Sequence, residues 1–183
     1  AIFVDIAARL MRLNLPERAG ALLDAALALP DAGPTIRARL LAARGDLLSR
    51  KGEIAGAEQA WNQALALDPL QPRATIGIAS RRIAAGDAAG AAAILEKAAG
   101  DPSCLLELGR ARLLAGDPNG ALRAMQRLED PQDCSGHDAG HDPETGPFLH
   151  LYEGRALVAL GRYEEGRPHL QLYFDLYPEA PRP

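Results

Sequence analysis

The chain has 183 residues, of which 48% are hydrophobic and only 4% aromatic, and its formal net charge is −4. Such a composition favours a core of Ala, Leu and Ile with closely packed helices. The acidic balance excludes a general nucleic-acid binder, and no apolar run reaches the ~18–20 residues that span a membrane.

Five segments in chain order share one pattern, in which a helix, a short turn and a second helix are followed by Pro. They cover residues 9–30, 43–69, 78–102, 108–131 and 152–178. The turn residues are Asn14, Gly52, Gly86, Gly116 and Gly161. Gly at this place ends a helix in the left-handed conformation without a Cβ penalty. We therefore predict five helix-turn-helix units.

The second helix of each unit has a regular apolar face. Five residues after the turn comes a small residue, namely Ala19, Ala57, Ala91, Ala121 or Gly166. Four residues later comes a bulky one, namely Leu23, Trp61, Leu95, Met125 or Leu170. This i, i+4 spacing predicts a helix pressed closely onto its neighbour, with Trp61 in the core. Pro is expected to end each second helix, at Pro30, Pro69, Pro102, Pro131 and Pro178.

This succession resembles the tetratricopeptide repeat (TPR) family. The second segment matches best, with Gly45, Leu48, Gly52, Ala57, Trp61, Ala64 and Pro69 in phase. The departures include Asn14 where Gly is usual and Pro168 inside the last second helix. The resemblance implies an all-α fold, a right-handed superhelical solenoid of about five repeats.

The repeat pattern predicts a single TPR-like domain over residues 1–178, followed by a linker or tail at 179–183. The units are expected at approximately 1–37, 38–71, 72–101, 102–131 and 147–178. The last turn-to-turn spacing, 45 residues, is longer than the repeat period of about 34 residues. We therefore predict a loop insert at 132–146, just before the last unit.

The resemblance also implies that the first helices line a concave groove for a partner peptide or subunit. The positions it assigns to this groove include Arg39, Arg50, Arg73, Arg110, Leu113 and Arg155. Guanidinium groups bind carboxylates bidentately and Leu adds apolar contact, so an acidic-hydrophobic protein segment is the predicted partner. The arginines are also compatible with a solvated helix face, and homo-oligomerisation remains open.

The insert contains Cys134, His137 and His141, a thiolate and two imidazoles that suit zinc. All three lie in one short segment, however, and binding would carry the full entropic cost of ordering it. A solvated acidic loop is therefore the simpler interpretation, and a Cys104–Cys134 disulfide is a third. No other cofactor is predicted.

Motifs of catalysis are missing from the sequence: it contains no Gly-rich phosphate loop, HExxH or GxSxG. His150 and His169 lie in the last unit without an evident nucleophile. We predict a non-enzymatic protein-interaction module or scaffold. The alternatives are a metal-binding or redox-sensing role for the insert and an accessory TPR domain of a bacterial envelope secretion or assembly protein. The Arg-rich, Lys-poor composition is typical of a high-GC bacterium, and the compartment, cytoplasm or periplasm, stays open.

Overall fold

The computed structural model describes residues 2–30, 32–130 and 146–180, and in these ranges the chain is helical without a strand. This described part of the chain contains ten helices: α1 Ile2–Arg12, α2 Pro16–Leu27, α3 Pro34–Arg50, α4 Ile54–Leu67, α5 Pro72–Ala84, α6 Ala88–Lys97, α7 Pro102–Leu114, α8 Pro118–Glu129, α9 Gly146–Ala159 and α10 Tyr163–Leu176. Among these described helices, none combines the length and the apolarity needed to cross a bilayer.

The chain divides into two compact units, residues 1–81 and 82–183. Unit 1 contains α1 to α4 and most of α5, and unit 2 contains the end of α5 and α6 to α10. The division of the chain into one repeat domain with the boundaries given above stays a prediction.

The predicted turns are confirmed by their backbone conformation. Gly52, Gly86, Gly116 and Gly161 have φ between 76° and 84°, and Asn14 has φ 57°. At the α7–α8 turn the Gly116 N–H donates to the Leu113 carbonyl at 3.1 Å, and the Asp117 N–H donates to the Arg112 carbonyl at 2.8 Å. This pair of bonds is the Schellman ending of a helix, which satisfies its last carbonyl groups. Asn14 can occupy the turn position of the first unit in place of Gly because Asn tolerates the left-handed region better than most side chains.

Side-chain caps start two of the second helices. The Asp87 carboxylate accepts a hydrogen bond from the Gly90 N–H, and the Asp117 carboxylate accepts one from the Gly120 N–H, both at 2.8 Å. Each bond satisfies a backbone donor that the first turn of a helix leaves without a partner. At the start of α4, Glu53 occupies the same position without a side-chain cap bond.

The small and bulky positions of the second helices pack as predicted. Ala19, Ala57, Ala91 and Ala121 are fully buried, as are Leu23, Leu95 and Met125. Trp61 is 3% exposed, and its indole lies against Gly45 of α3 and Gly77 of α5, where a Cβ atom would overlap the ring. The prediction of a core tryptophan is confirmed. Leu170, in the last unit, is only partly buried.

The expectation for Pro102 is wrong, and Pro131 lies outside the described residues. Helix α6 ends at Lys97, and Pro102 is the first residue of α7, where Asp101 accepts hydrogen bonds from Ser103 N and Cys104 N. Pro is favoured at the first position of a helix, since the N–H that it lacks would have no helical partner there. Pro102 therefore starts a helix and does not end one.

Candidate functional site

The predicted groove residues of unit 1 lie on α3 and α5. Arg39, Arg50 and Arg73 are all exposed. Arg73 Nη1 lies 3.4 Å from Asp46 Oδ2, and the Trp61 Nε1–H donates to Asp46 Oδ1 at 3.1 Å. One predicted partner-binding arginine thus already contacts a carboxylate within its own unit.

Asp46 is the acidic member of this surface. Its partial burial raises the pKa of the carboxyl group, against the lowering effects of Arg73, the Trp61 N–H and Arg50. The net rise shows that these neighbours do not fully offset the loss of hydration. We call Arg39, Asp46, Arg50 and Arg73 the unit 1 first-helix surface; these residues carry three positive charges against one carboxyl group.

The predicted groove residues of unit 2 lie on α7 and α9. Arg110 lies on α7 and Arg155 on α9, and the charges of both act on the pKa of Tyr152, which burial raises. Arg110 Nε lies 2.9 Å from Glu107 Oε2, and Leu113 is half-buried. Arg110 and Arg155, 45 residues apart in the chain, thus both lie near enough to Tyr152 for their charges to act on it.

Exposed apolar side chains lie on the same two helices. Leu114, at the end of α7, is 54% exposed, and Val158, near the end of α9, is 36% exposed. We call Arg110, Leu113, Leu114, Arg155 and Val158 the unit 2 first-helix surface. It combines cationic and apolar groups within one compact unit.

Cys134, His137 and His141 lie outside the described residues, so the predicted metal site of the insert stays a prediction. Cys104 is buried on α7. Burial, together with the carboxylates of Asp101 and Glu107, raises the pKa of its thiol to about 12. A thiol in this state is a poor nucleophile and a poor metal ligand near neutral pH.

A cluster that the sequence interpretation missed lies between α9 and α10. Glu153 Oε2 is 3.0 Å from His169 Nδ1 and 3.7 Å from His150 Nδ1. The two Nδ1 atoms are 3.4 Å apart. We call these three residues the His–Glu–His cluster; within the described part of the chain, its three donor atoms are mutually close enough to hold a metal ion.

Glu153 is the most buried member of the cluster, with 4% of its surface exposed. This burial, with a smaller contribution from the Glu129 carboxylate, raises the pKa of Glu153 to about 7. In the described residues Oε2 makes no hydrogen bond of good geometry, in spite of its nearness to the His169 ring. The cluster therefore has a carboxylate whose charge its surroundings compensate poorly.

The sequence contained a partial signal for this cluster. His150 and Glu153 are spaced i, i+3, which places them on one face of a helix. Nothing in the spacing indicated that His169 would join them, because its position depends on how α10 packs against α9. The insert, with its denser metal-binding residue types, was the more visible candidate.

Comparison with solved structures shows a common fold. A MamA fragment from Desulfovibrio magneticus RS-1 is 19% identical over 99% of this chain and 96% of that chain, with a TM-score of 0.63. The pilF protein of Pseudomonas aeruginosa is 17% identical over 95% of this chain and 74% of that chain, with a TM-score of 0.72. YrrB, described as a TPR protein with an unusual peptide-binding site, is 18% identical over 97% of this chain and 86% of that chain, with a TM-score of 0.59.

These similarities confirm the predicted all-α, TPR-like fold class. No protein-family model and no curated protein sequence matches the chain.

Proposed function

We propose that this chain, which has the fold of tetratricopeptide-repeat proteins, is a non-enzymatic interaction module that binds a partner protein segment on its first helices. The observation that supports the proposal is that the charges of Arg110 and Arg155 both act on Tyr152 and that the same two helices expose Leu114 and Val158. The partner segment is acidic and hydrophobic, since these are the chemical groups that complement this surface.

The chemistry of recognition follows from the side chains. The planar guanidinium group offers paired N–H donors that match a carboxylate, and such charge-assisted hydrogen bonds are stronger than neutral ones. Arg110 Nε is buried and lies 2.9 Å from Glu107 Oε2, so the Arg110 guanidinium already pairs with a carboxylate of its own helix. Arg155 has no such ion pair among the described residues, so its guanidinium is the more available of the two. Leu114 and Val158 give up exposed apolar surface to the partner, which adds the hydrophobic contribution.

Unit 1 supports the same function with its own surface, formed by Arg39, Arg50 and Arg73. Arg73 would exchange or share its contact with Asp46 when a partner carboxylate binds. YrrB, a protein of the same fold, has a peptide-binding site, which supports peptide binding as the class of function proposed here.

The test is a binding measurement with a peptide library in which acidic-hydrophobic sequences are paired with basic-hydrophobic sequences of equal length. We expect the wild-type chain to select acidic members. The double variant Arg110→Glu/Arg155→Glu should bind them at least about tenfold more weakly, since it removes two charge-assisted contacts and introduces repulsion.

The matched control is Arg123→Glu/Arg167→Glu. Arg123 and Arg167 are exposed and lie on the second helices α8 and α10. Replacing them changes the net charge by the same amount as the double variant Arg110→Glu/Arg155→Glu. We expect this control to keep its affinity within about twofold. Equal losses of affinity in both double variants would show that only the net charge matters, and would contradict binding at a specific surface. A wild-type chain that prefers basic peptides, or none, would also overturn the proposal.

Self-association is a second readout of the same variants. If the partner is a second copy of the chain, light scattering detects a rise in mass with protein concentration. Loss of that rise in the first-helix variant alone would assign the surface to homo-oligomerisation.

A further inference from the structure

We propose that His150, Glu153 and His169 form a binding site for one divalent transition-metal ion of the zinc class, held between α9 and α10. None of these three residues belongs to the first-helix surfaces or to the predicted ligand set of the insert. The inference rests on the geometry of three donor atoms and on one buried carboxylate whose Oε2 makes no hydrogen bond among the described residues.

The first observation is the size of the donor triangle. Its sides are 3.0 Å, 3.4 Å and 3.7 Å. A point equidistant from the three atoms lies about 2.0 Å from each, which is the bond length of zinc to imidazole nitrogen and to carboxylate oxygen. A metal ion slightly above this plane would have three ligands at one face of a tetrahedron. Its fourth position would be left for water.

The second observation is the carboxylate. Glu153 is more than nine-tenths buried, and its Oε2 points toward the two imidazole Nδ1 atoms. Among the described residues no hydrogen bond of good geometry satisfies that oxygen. A buried carboxylate without compensation is energetically unfavourable. A divalent cation at the centre of the triangle supplies the missing charge and the missing partner.

The third observation is the rigidity of the frame. His150 and Glu153 are one turn apart on α9, and His169 lies on α10. The two helices approach closely at Gly154 and Gly166, where a Cβ on either residue would lie about 3 Å from the other's carbonyl oxygen, closer than ordinary packing allows. Ligands on packed helices hold their geometry better than ligands in a loop.

The donor set determines the class of metal. Two imidazoles with one carboxylate suit zinc and neighbouring transition metals, whereas magnesium and calcium take oxygen ligands. His169 is partly exposed, which leaves a route for the ion and for a water ligand. Because its ligands come from both α9 and α10, the bound ion would hold these two helices together.

The experiment uses the full chain without a histidine tag, stripped with chelator and then titrated with Zn²⁺ by calorimetry. We expect one equivalent per chain, and a melting temperature that rises with the Zn²⁺ concentration. With Co²⁺ in place of Zn²⁺, we expect the visible absorption of a tetrahedral site without a thiolate charge-transfer band. His169→Asn and Glu153→Gln should each weaken binding at least tenfold while circular dichroism shows an intact fold.

The matched control is the triple variant Cys134→Ser/His137→Asn/His141→Asn, which removes the potential ligands of the insert. The proposal requires this variant to bind the full equivalent. A thiolate band with Co²⁺, or loss of binding in the triple variant, would assign the metal to the insert and overturn the proposal. Less than stoichiometric binding by the wild-type chain would overturn it too. If His169→Asn fails to fold, His150→Asn gives the same test from the other helix.

Discussion

Trp61 Nε1 donates a hydrogen bond to Asp46 Oδ1 at 3.1 Å, joining the two helices of the second pair. The indole also fills the space that Gly45 and Gly77 leave open. A single side chain thus supplies apolar volume to the core and a donor to a carboxylate on the first-helix surface. The stability of unit 1 and the charge of its candidate binding surface are therefore linked.

Trp61→Phe should destabilise the protein by about 1–3 kcal/mol, because it removes the hydrogen bond to Asp46 and part of the buried volume. Urea unfolding followed by circular dichroism measures the change. In an Asp46→Asn background the same substitution should cost less, since the charged acceptor is gone. Equal costs in both backgrounds would show that the hydrogen bond contributes nothing.

Asp46→Asn should change the pH dependence of stability in a defined direction. The pKa of Asp46 is raised above its usual value, so the protonated form is favoured in the folded state. The stabilisation from this group is complete below the unfolded pKa of about 3.9 and is lost as pH rises through the folded pKa. The wild type should therefore lose stability relative to Asp46→Asn across that window and show a constant difference above it. Urea unfolding at a series of pH values measures this difference. If the wild type instead gained stability relative to Asp46→Asn as pH rises, the result would contradict a raised pKa of Asp46 in the folded state.

Gly45→Ala should destabilise the protein by about 1–3 kcal/mol, because its Cβ would overlap the Trp61 ring, which cannot move aside in a packed core. The matched control is Gly100→Ala. A Cβ there would meet no described atom within 4 Å, and the backbone is outside the left-handed region. Thermal unfolding of both variants provides the comparison, and similar melting temperatures would argue against the close approach at Gly45.

Asp117→Ala should cost about 1 kcal/mol, since the Asp117 carboxylate caps the first turn of α8 through the Gly120 N–H. Asp117→Asn should recover most of the loss, because its amide oxygen accepts the same bond. Glu53→Ala is the control, as Glu53 precedes α4 without a side-chain cap bond. In chemical denaturation, Asp117→Ala should lose the most stability, Asp117→Asn less and Glu53→Ala the least. A large loss of stability in Glu53→Ala would refute the capping explanation.

Cys104 should resist thiol reagents in the folded protein. Its pKa of about 12 leaves almost no thiolate at pH 8, and its burial blocks access. In reduced Cys134→Ser protein, a chromogenic disulfide reagent should react slowly under native conditions and release one thiol equivalent in guanidinium. Rapid native reaction would show that α7 opens readily around this residue.

Much of the fold could be predicted from local patterns. Gly52, Gly86, Gly116 and Gly161 adopt the expected left-handed conformation, and the core positions of Trp61 and Met125 followed from their spacing to these turns. Pro102 was misassigned because Pro is compatible both with the end of one helix and with the first position of the next. The presence of Pro alone therefore could not distinguish the end of α6 from the start of α7.

The candidate sites were less predictable, for a physical reason. Turn conformation, helix periodicity and capping depend on residues within a few positions, so the sequence by itself determined the helical pairs and their packing faces. The contacts of Arg73 with Asp46 and of His169 with Glu153 join residues on different helices. Only the tertiary structure decided them, because the relative rotation and closeness of packed helices fix which side chains meet. Side-chain packing brought donor atoms of His150, Glu153 and His169 within 4.8 Å of one another, a juxtaposition that no spacing along the chain specifies.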